Sequence, residues 1–508
     1  MTKIIRFSEK FQFSKDIVDF SKQEIALAYG HFSSIHPGHI RYLQNAKSFG
    51  NKLVIALRGD NDKPKSEKYI FSMKERSQSL AMLKIADLLV SLENDELYEL
   101  VKKLKPKVII LGTEYKNLLF NQVKETISFA ENNGIKVVFD SGENIYASTE
   151  LLSESNLDID LARKKLLLES FNKQNIDPNS LIKKLPLLRN TPMLIIGDSI
   201  VDEYAACEAL GMSAEAPVLV VKELETKTYA GGAAVVASHV NQLGGKCFFV
   251  SVTGNDTNSD FIETKLKEKS IKTFLIKDST RPTTFKKRYM VENQKLFRVS
   301  KLEEQAINKE IENELIEIIK KLIPKVKGVI ISDFNYGVIT KNLLEIINQE
   351  AKDHEIEVFA DSQSSSQLGS ITKFNDISLL CPNEREARIA LQDKFSGLEF
   401  LANEIFKICK PDNLIMKLGS QGFITYAKDK SGRKYNQHFP ALESNPVDLA
   451  GAGDSLLACM ALSISSGLNI MEASCLSCFM CMIAVQSIGN KPISYEQLDL
   501  RIKEYLDI

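Results

Sequence analysis

The chain has 508 residues, too many for one hydrophobic core, so two or three folded units are expected. Hydrophobic residues make up 44% and charged residues 26%, the balance of a folded soluble protein. Lys and Arg total 65 against 66 Asp and Glu, so no global charge draws the chain to nucleic acid or to a membrane surface.

The first thirty residues alternate charge with short apolar stretches and hold no signal-peptide core. The longest near-apolar run, Cys475 to Ile488, is too short to cross a bilayer. Eight cysteines without an export signal read as the reduced thiols of a cytoplasmic protein. Cys475, Cys478 and Cys481 have a three-residue spacing, but no His or acidic residue lies between them. Core packing is therefore expected there rather than a metal site.

From residue 24 the pattern alternates short β-rich runs with amphipathic stretches. Glu24–Tyr29, Lys52–Arg58, Lys107–Leu111 and Ile135–Asp140 read as buried strands, and Gly38–Phe49, Ser72–Ile85 and Asn117–Asn133 as helices. Such alternation predicts a parallel sheet covered on both faces, closing near Leu152. Residues 153–190 are charged and helix-prone and read as a linker or a bracing helix pair. A second α/β unit is expected from residue 191 to 508, opening on the strand Met193–Gly197. Inside it Thr273–Val299, rich in β-branched, aromatic and basic residues, predicts an antiparallel flap.

The front unit carries its chemistry in Gly30-His31-Phe32-Ser33-Ser34-Ile35-His36-Pro37-Gly38-His39, directly after the first strand. A strand-to-helix turn aims backbone N–H groups and a positive helix end at an anion. Imidazoles placed there stabilise charge that builds on a nucleotide's α-phosphate under attack. An ordinary turn or a zinc cluster is the alternative, but half of the chain's six histidines fall within the nine residues His31–His39.

Residues Ile25 to Leu152 resemble the cytidylyltransferase-like nucleotidyltransferases. The resemblance rests on His36-Pro-Gly-His39, Leu43-x-x-Ala46-Lys47-x-x-Gly50, Glu75-Arg76 and Tyr146-Ala-Ser148-Thr149. It implies catalytic roles for His36 and His39, and nucleotide contacts from Gly30, Phe32, Lys47, Ser148 and Thr149. Ser33 departs from the Asp usual at that position.

The rear unit carries Asp448-Leu-Ala-Gly451-Ala452-Gly453-Asp454-Ser455, followed by an apolar helix. Gly-Ala-Gly before a helix offers amides to a transferring phosphoryl group, and an Asp at the helix start is placed to take an acceptor hydroxyl's proton. Taken alone, this element also fits a capped turn.

The whole unit resembles the ribokinase-like (PfkB-type) sugar kinases. Gly231-Gly232-Ala233-Ala234, Gly254-Asn-Asp256, Cys381-Pro-Asn383-Glu384-Arg385-Glu386 and Lys417-Leu-Gly419-Ser-Gln-Gly422 carry the likeness. The resemblance implies Asp454 as catalytic base and Gly451, Ala452 and Gly453 as anion hole. It also implies nucleotide contacts from Asn383, Glu386, Lys417, Gly419 and Gly422, with Mg2+ carried by ATP and positioned by Glu386.

Gly197-Asp198-x-x-x-Asp202-x-Tyr204, Glu215-Ala216-Pro217-Val218, Arg281-Pro-Thr-Thr284 and Asn293-Gln-x-Leu-x-Arg298 are most similar to the bifunctional heptose-7-phosphate kinase and ADP-heptose synthase family, which has its kinase first. That implies sugar contacts from Asp198, Asp202, Gly231, Gly232 and Arg288, with ATP and a sugar phosphate as substrates and a homodimer joined through the flap. Val235, Tyr336, Gln363 and Leu449 replace the Asn, Lys, Lys and Thr usual in that family, with Lys286, Arg288 and Arg298 as candidate compensating cations. Two alternatives stay open: the same reactions on another sugar or polyol phosphate with CTP or GTP, or one domain serving as a non-catalytic nucleotide-binding module.

Overall fold

The computed structural model describes residues 3–7, 24–32, 35, 37–60, 71–92, 96–112, 115, 121–139, 156–215, 218–291, 294–363, 371–428, 432 and 434–507. The chain divides into two compact α/β units, Met1–Ser155 with Asp393–Leu401, and the remainder from Asn156 to Ile508.

The first unit runs β1 (Lys3–Arg6), β2 (Ile25–Gly30), α1 (Pro37–Ser48), β3 (Lys52–Leu57), α2 (Met73–Met82), β4 (Leu88–Ser91), α3 (Leu97–Leu104), β5 (Val108–Leu111), α4 (Asn121–Asn132) and β6 (Lys136–Phe139). Its six strands are parallel in the order β1-β4-β3-β2-β5-β6. Buried runs such as Leu53, Val54, Ile55, Ala56 and Leu57 explain why both sheet faces carry helices. The strands expected from the sequence are present, and two more appear. Short β4 is fully buried, while β1 is an edge strand of mostly exposed residues and so has no burial pattern to read.

The second unit begins earlier than residue 191. Helices α5 (Asn156–Lys173) and α6 (Pro178–Lys184) lie in the stretch expected to link or brace, and they send Leu167, Phe171 and Leu181 into the core of this unit. There follow β7 (Pro192–Gly197), β8 (Ser199–Met212), β9 (Leu219–Gly232), α7 (Ala233–Gln242), β10 (Lys246–Thr253), α8 (Thr257–Glu268), β11 (Lys272–Lys277), β12 (Thr284–Val291) and β13 (Gln294–Lys301). Next come α9 (Lys309–Leu322), β14 (Gly328–Asp333), α10 (Lys341–Asp353), β15 (Glu357–Ser362), β16 (Leu379–Leu380), α11 (Glu384–Leu391), β17 (Asn413–Lys417), β18 (Phe423–Lys428) and β19 (Lys434–Phe439). The chain ends with α12 (Ala452–Ser465), α13 (Ile470–Ala484) and α14 (Tyr495–Leu506).

A nine-stranded sheet has the order β11-β10-β7-β14-β15-β16-β17-β18-β19, parallel as far as β17 and antiparallel over its last three strands. The flap is a separate four-stranded sheet, β13-β12-β8-β9. It differs from the antiparallel flap expected over Thr273–Val299 in two ways. Residues 272–277 form β11 of the main sheet, and two 14-residue strands, β8 and β9, complete the flap. The β8–β12 pairing is also parallel, so the flap is mixed. Much of β8 and β9 is exposed, which erased the alternation that marks a strand in sequence.

The Cys475, Cys478 and Cys481 trio lies on α13, whose residues join the core, and burial pushes all three thiols upward.

Two candidate active sites

In the first unit the chain order reverses between β2 and β5, the place where open α/β sheets leave a crevice for a ligand. The ladder pairs Ala28 with Ile110 and goes no further. Beyond it the Tyr42 hydroxyl takes over, accepting from the Tyr29 amide at 3.2 Å and donating to the Ile110 carbonyl at 2.7 Å. This buried hydroxyl fixes α1 over the end of the strands, so the start of α1 faces the crevice.

Around the turn, His31 Nε2 meets Arg58 Nη1 at 2.8 Å, and Arg58 donates to Tyr115 Oη at 3.4 Å. Arg76, 2% exposed, braces the whole group: it donates to the carbonyls of His31 (2.5 Å), Arg58 (3.0 Å) and Phe71 (3.2 Å) and pairs with Asp60 at 2.7 Å. Gly30 ends β2, and Phe32, buried with φ 47°, lies tilted against the His39 ring with centroids 5.1 Å apart. His39 and the cation Arg58 are thus gathered at one strand end.

Lys47 is not brought to this end. It sits in the last turn of α1 and donates to the Ile85 carbonyl at 2.7 Å, because nine helical residues separate it from Gly38, about 14 Å at 1.5 Å per residue. His36, Ser148 and Thr149, expected at the phosphates, lie outside the described residues, as does Ser33.

In the second unit Asp454 occupies the first turn of α12, 5% exposed. Its Oδ1 accepts from Gln363 Nε2 at 2.9 Å and its Oδ2 from Asn490 Nδ2 at 3.0 Å. Burial, then the charge of Asp361, push its carboxyl up to about 7. Asp361, itself raised to about 6 mainly by burial, receives Lys417 Nζ at 2.6 and 2.8 Å. Gly451 has φ 88°, and a Cβ there would lie 2.2 Å from the Asn490 amide, so only glycine fits. A Cβ on Gly453 would lie 3.5 Å from Lys417 Nζ, which sets the Gly451-Ala452-Gly453 loop directly beside the ammonium.

The other expected nucleotide residues fall at neighbouring strand ends. Asn383 caps α11 in a reciprocal box with Glu386, which is 3% exposed, and Lys417 N donates to the Pro382 carbonyl at 2.9 Å. Gly419 and Gly422 bound the one-turn helix that follows β17.

Among the expected sugar contacts, Asp202 on β8 pairs with Arg288 on β12, and Arg288 also lies 5.0 Å from the Tyr204 ring centroid. Gly231 faces Asp202 so closely that a Cβ would meet its Oδ2 at 2.2 Å. Asp198 is 1% exposed, and its carboxylate accepts from the amides of Phe334 (2.7 Å), Tyr336 (3.4 Å) and Val338 (3.4 Å). It therefore clamps the 334–338 loop, and burial followed by Asp333 pushes it up to about 6. The flap also bonds Asp448, which heads the Gly451-Ala452-Gly453 segment: Lys295 Nζ donates to its carboxylate at 2.7 Å, and the Tyr204 hydroxyl donates to it at 3.1 Å.

Residues 191–496 match the profile of the pfkB family carbohydrate kinases, which covers more than half of the chain. The chain belongs to the pfkB family. Residues 27–150 match the cytidylyltransferase-like profile. The bifunctional protein HldE of Campylobacter jejuni subsp. jejuni serotype O:6 is 34% identical over 311 residues, 60% of this chain and 63% of that protein. HldE of Helicobacter pylori J99 is 29% identical over 319 residues, 61% and 66% of the two chains. The match thus spans less than two thirds of these relatives. Among solved structures, phosphofructokinase-2 of Escherichia coli superposes with a TM-score of 0.52 at 15% identity over 63% of this chain and 99% of that one. Ribokinase of Giardia lamblia gives 0.51 at 17%, over 62% and 100%. These likenesses concern the fold of the pfkB unit.

Sequence reasoning had no route to Arg58, Tyr115 or Asn490, which reach their sites from distant segments with no motif. Gln363 was visible only as a departure from the family pattern; the structure sets it on the Asp454 carboxylate. Among the described residues, both hydrogen bonds to the Asp454 carboxylate come from neutral amides, while burial and the charge of Asp361 push its carboxyl up and Lys417 and the Asn490 bond lower it.

Proposed function

We propose that the chain is a bifunctional enzyme of nucleotide-sugar synthesis, a sugar kinase joined to a nucleotidyltransferase. In the kinase step the C1 hydroxyl of D-glycero-D-manno-heptose 7-phosphate attacks the γ-phosphorus of ATP. A sugar O–P bond forms, the β–γ bridging bond breaks, ADP leaves, and the hydroxyl proton passes to Asp454. After a separate phosphatase removes the 7-phosphate, the front unit joins heptose 1-phosphate to AMP from ATP, giving ADP-heptose and pyrophosphate.

The observation that carries this reading is Asp454 at the start of α12 behind a Gly-Ala-Gly loop, with Lys417 alongside. A base that ionises near neutral pH takes a proton without being too weak to hold it. The loop amides and Lys417 would receive the charge of the transferring phosphoryl group. Magnesium would enter with ATP: Glu386 and Asp361, both buried carboxylates near Lys417, fit a metal-bearing triphosphate, and the metal would neutralise phosphate charge.

For a sugar that itself carries phosphate, the flap offers cations. Lys286 is 3% exposed, with its ammonium 5.0 Å from the Tyr336 ring and 5.2 Å from that of Phe334, and Arg288 lies two residues on. These stand in for the lysine that the family carries where this chain has Tyr336. The exposed apolar residues Leu210, Met212, Leu219, Leu224, Phe297 and Val299 on the flap favour a homodimer through that sheet. No helix of the described residues is long and apolar enough to cross a membrane.

The test is direct. Purified protein is supplied with ATP and heptose 7-phosphate or a panel of other sugar phosphates, and separately with heptose 1-phosphate and ATP, CTP or GTP. Phosphate transfer to the heptose and ADP-heptose formation are expected. Turnover of another sugar alone would favour the second reading, which the Tyr336 and Gln363 replacements motivate.

A further inference from the structure

Asn490 touches the proposed base, yet it belongs to no motif and comes 36 residues after it. What orients its amide is a histidine. His239 lies on α7, whose N-terminus is the Gly231-Gly232 pair, and is fully buried. Its Nδ1 stands 3.2 Å from the Ile493 backbone N–H, and its Nε2 stands 3.4 Å from Asn490 Oδ1.

These contacts leave one arrangement of protons. A backbone N–H only donates, so Nδ1 must accept, and the ring proton is on Nε2. Nε2–H then points at Asn490 Oδ1, which turns the Asn490 NH2 group toward Asp454. With the amide reversed, its carbonyl would face the carboxylate and its NH2 would face an N–H. Burial, and after it the charge of Lys269, hold the imidazole far below its usual range, near 4, so it stays neutral. Gly451 leaves room for this amide: a Cβ there would lie 2.2 Å from Asn490, in space that any side chain would fill.

We propose that His239 and Asn490 are positioning residues that form a relay from the Ile493 backbone to Asp454. The relay holds the Oδ2 side of the base, so that Oδ1, shared with Gln363, and the face toward the anion loop meet the substrate hydroxyl. It rests on the kinase reading above. The charged groups acting on Asp454 are Asp361, Lys417 and Asp202, on β15, β17 and β8, and none of them replaces the hydrogen bond from Asn490. The pair also links the helix that begins at the sugar-binding glycines to the base, so sugar binding and base orientation share one buried connection.

The test compares variants in phosphate transfer from ATP to heptose 7-phosphate. Asn490→Ala should lower kcat about tenfold, the cost of losing a hydrogen bond to a carboxylate, with KM for both substrates changed less than about twofold. Its acid limb should move to higher pH, because the lost donor favoured the ionised base. His239→Leu should cost about fivefold in kcat, and His239→Gln, which keeps an N–H toward Asn490, should restore most of it. Wild-type kcat in Asn490→Ala, or equal losses in the Leu and Gln variants, would overturn the relay.

Asp454→Asn in the same assay separates the two levels. If it is inactive while Asn490→Ala matches wild type, the relay alone fails. If it is fully active, the base assignment fails and takes the relay with it. A readout free of activity is the histidine 15N spectrum of the wild-type chain, assigned with His239→Gln. A neutral ring protonated on Nε2 from pH 6 to 8 is expected, and an Nδ1–H tautomer or a cation would contradict the proposal.

Discussion

The rear unit buries three carboxylates, Asp198, Asp361 and Asp454, each pushed up into the range of about 6 to 7, and Lys417 is engaged with Asp361. The front site is built the other way, from cations and rings: Arg58 on His31, Arg76 across three carbonyls, and Phe32 against His39. The proposed nucleophiles explain the contrast. An alcohol must lose a proton as it attacks, so its site needs a base held near neutrality. A sugar phosphate attacks as an anion already, so its site needs only positive charge and donors where charge accumulates.

That contrast is open to attack by substitution. The largest effect is expected from Asp454→Asn, which should lower phosphate transfer about a thousandfold and leave nucleotidyl transfer unchanged, measured by separate assays of the two half-reactions. His39→Ala should do the reverse, costing about a hundredfold in ADP-heptose formation from heptose 1-phosphate while sparing the kinase. Lys417→Met leaves Asp361 buried without its partner and should destabilise the rear unit by about 3 kcal/mol, read from its denaturant midpoint. The smallest effect is the pH dependence. The proposed base would work only when ionised, and the Asp454 carboxyl is raised to about 7, so kcat for phosphate transfer should climb with pH and reach half its plateau near 7. An acid limb near 4, the ordinary carboxylate range, would mean that the base is solvated in the working enzyme.

Both proposed cradles can be read from the sequence because each is a local run, Gly30 to His39 and Gly451 to Asp454; Ser33, Ser34 and His36 of the first lie outside the described residues. Local runs also fixed most of the parallel strands. Elements that are exposed or short escaped, as β1, β8 and β9 did, since burial is what imprints a pattern. Lys47 was misplaced because family likeness gives a residue's identity but not its reach; nine helical residues carry it to the far end of α1. His239 and Asn490 were invisible for the opposite reason. A single His in the apolar run Ala233–Gln242 and a single Asn after a glycine carry no spacing, and only the tertiary structure brings them within reach of Asp454.

One chain is proposed to hold two independent phosphate cradles with different chemistry. The most direct measurement supplies wild-type protein with ATP labelled differently on its α- and γ-phosphates, together with heptose 7-phosphate and the phosphatase. The γ label should enter the sugar first, as its 1-phosphate, and the α label should then appear in the nucleotide-sugar. An α label that stays in the adenine nucleotides, or a γ label that never reaches the sugar, would contradict it.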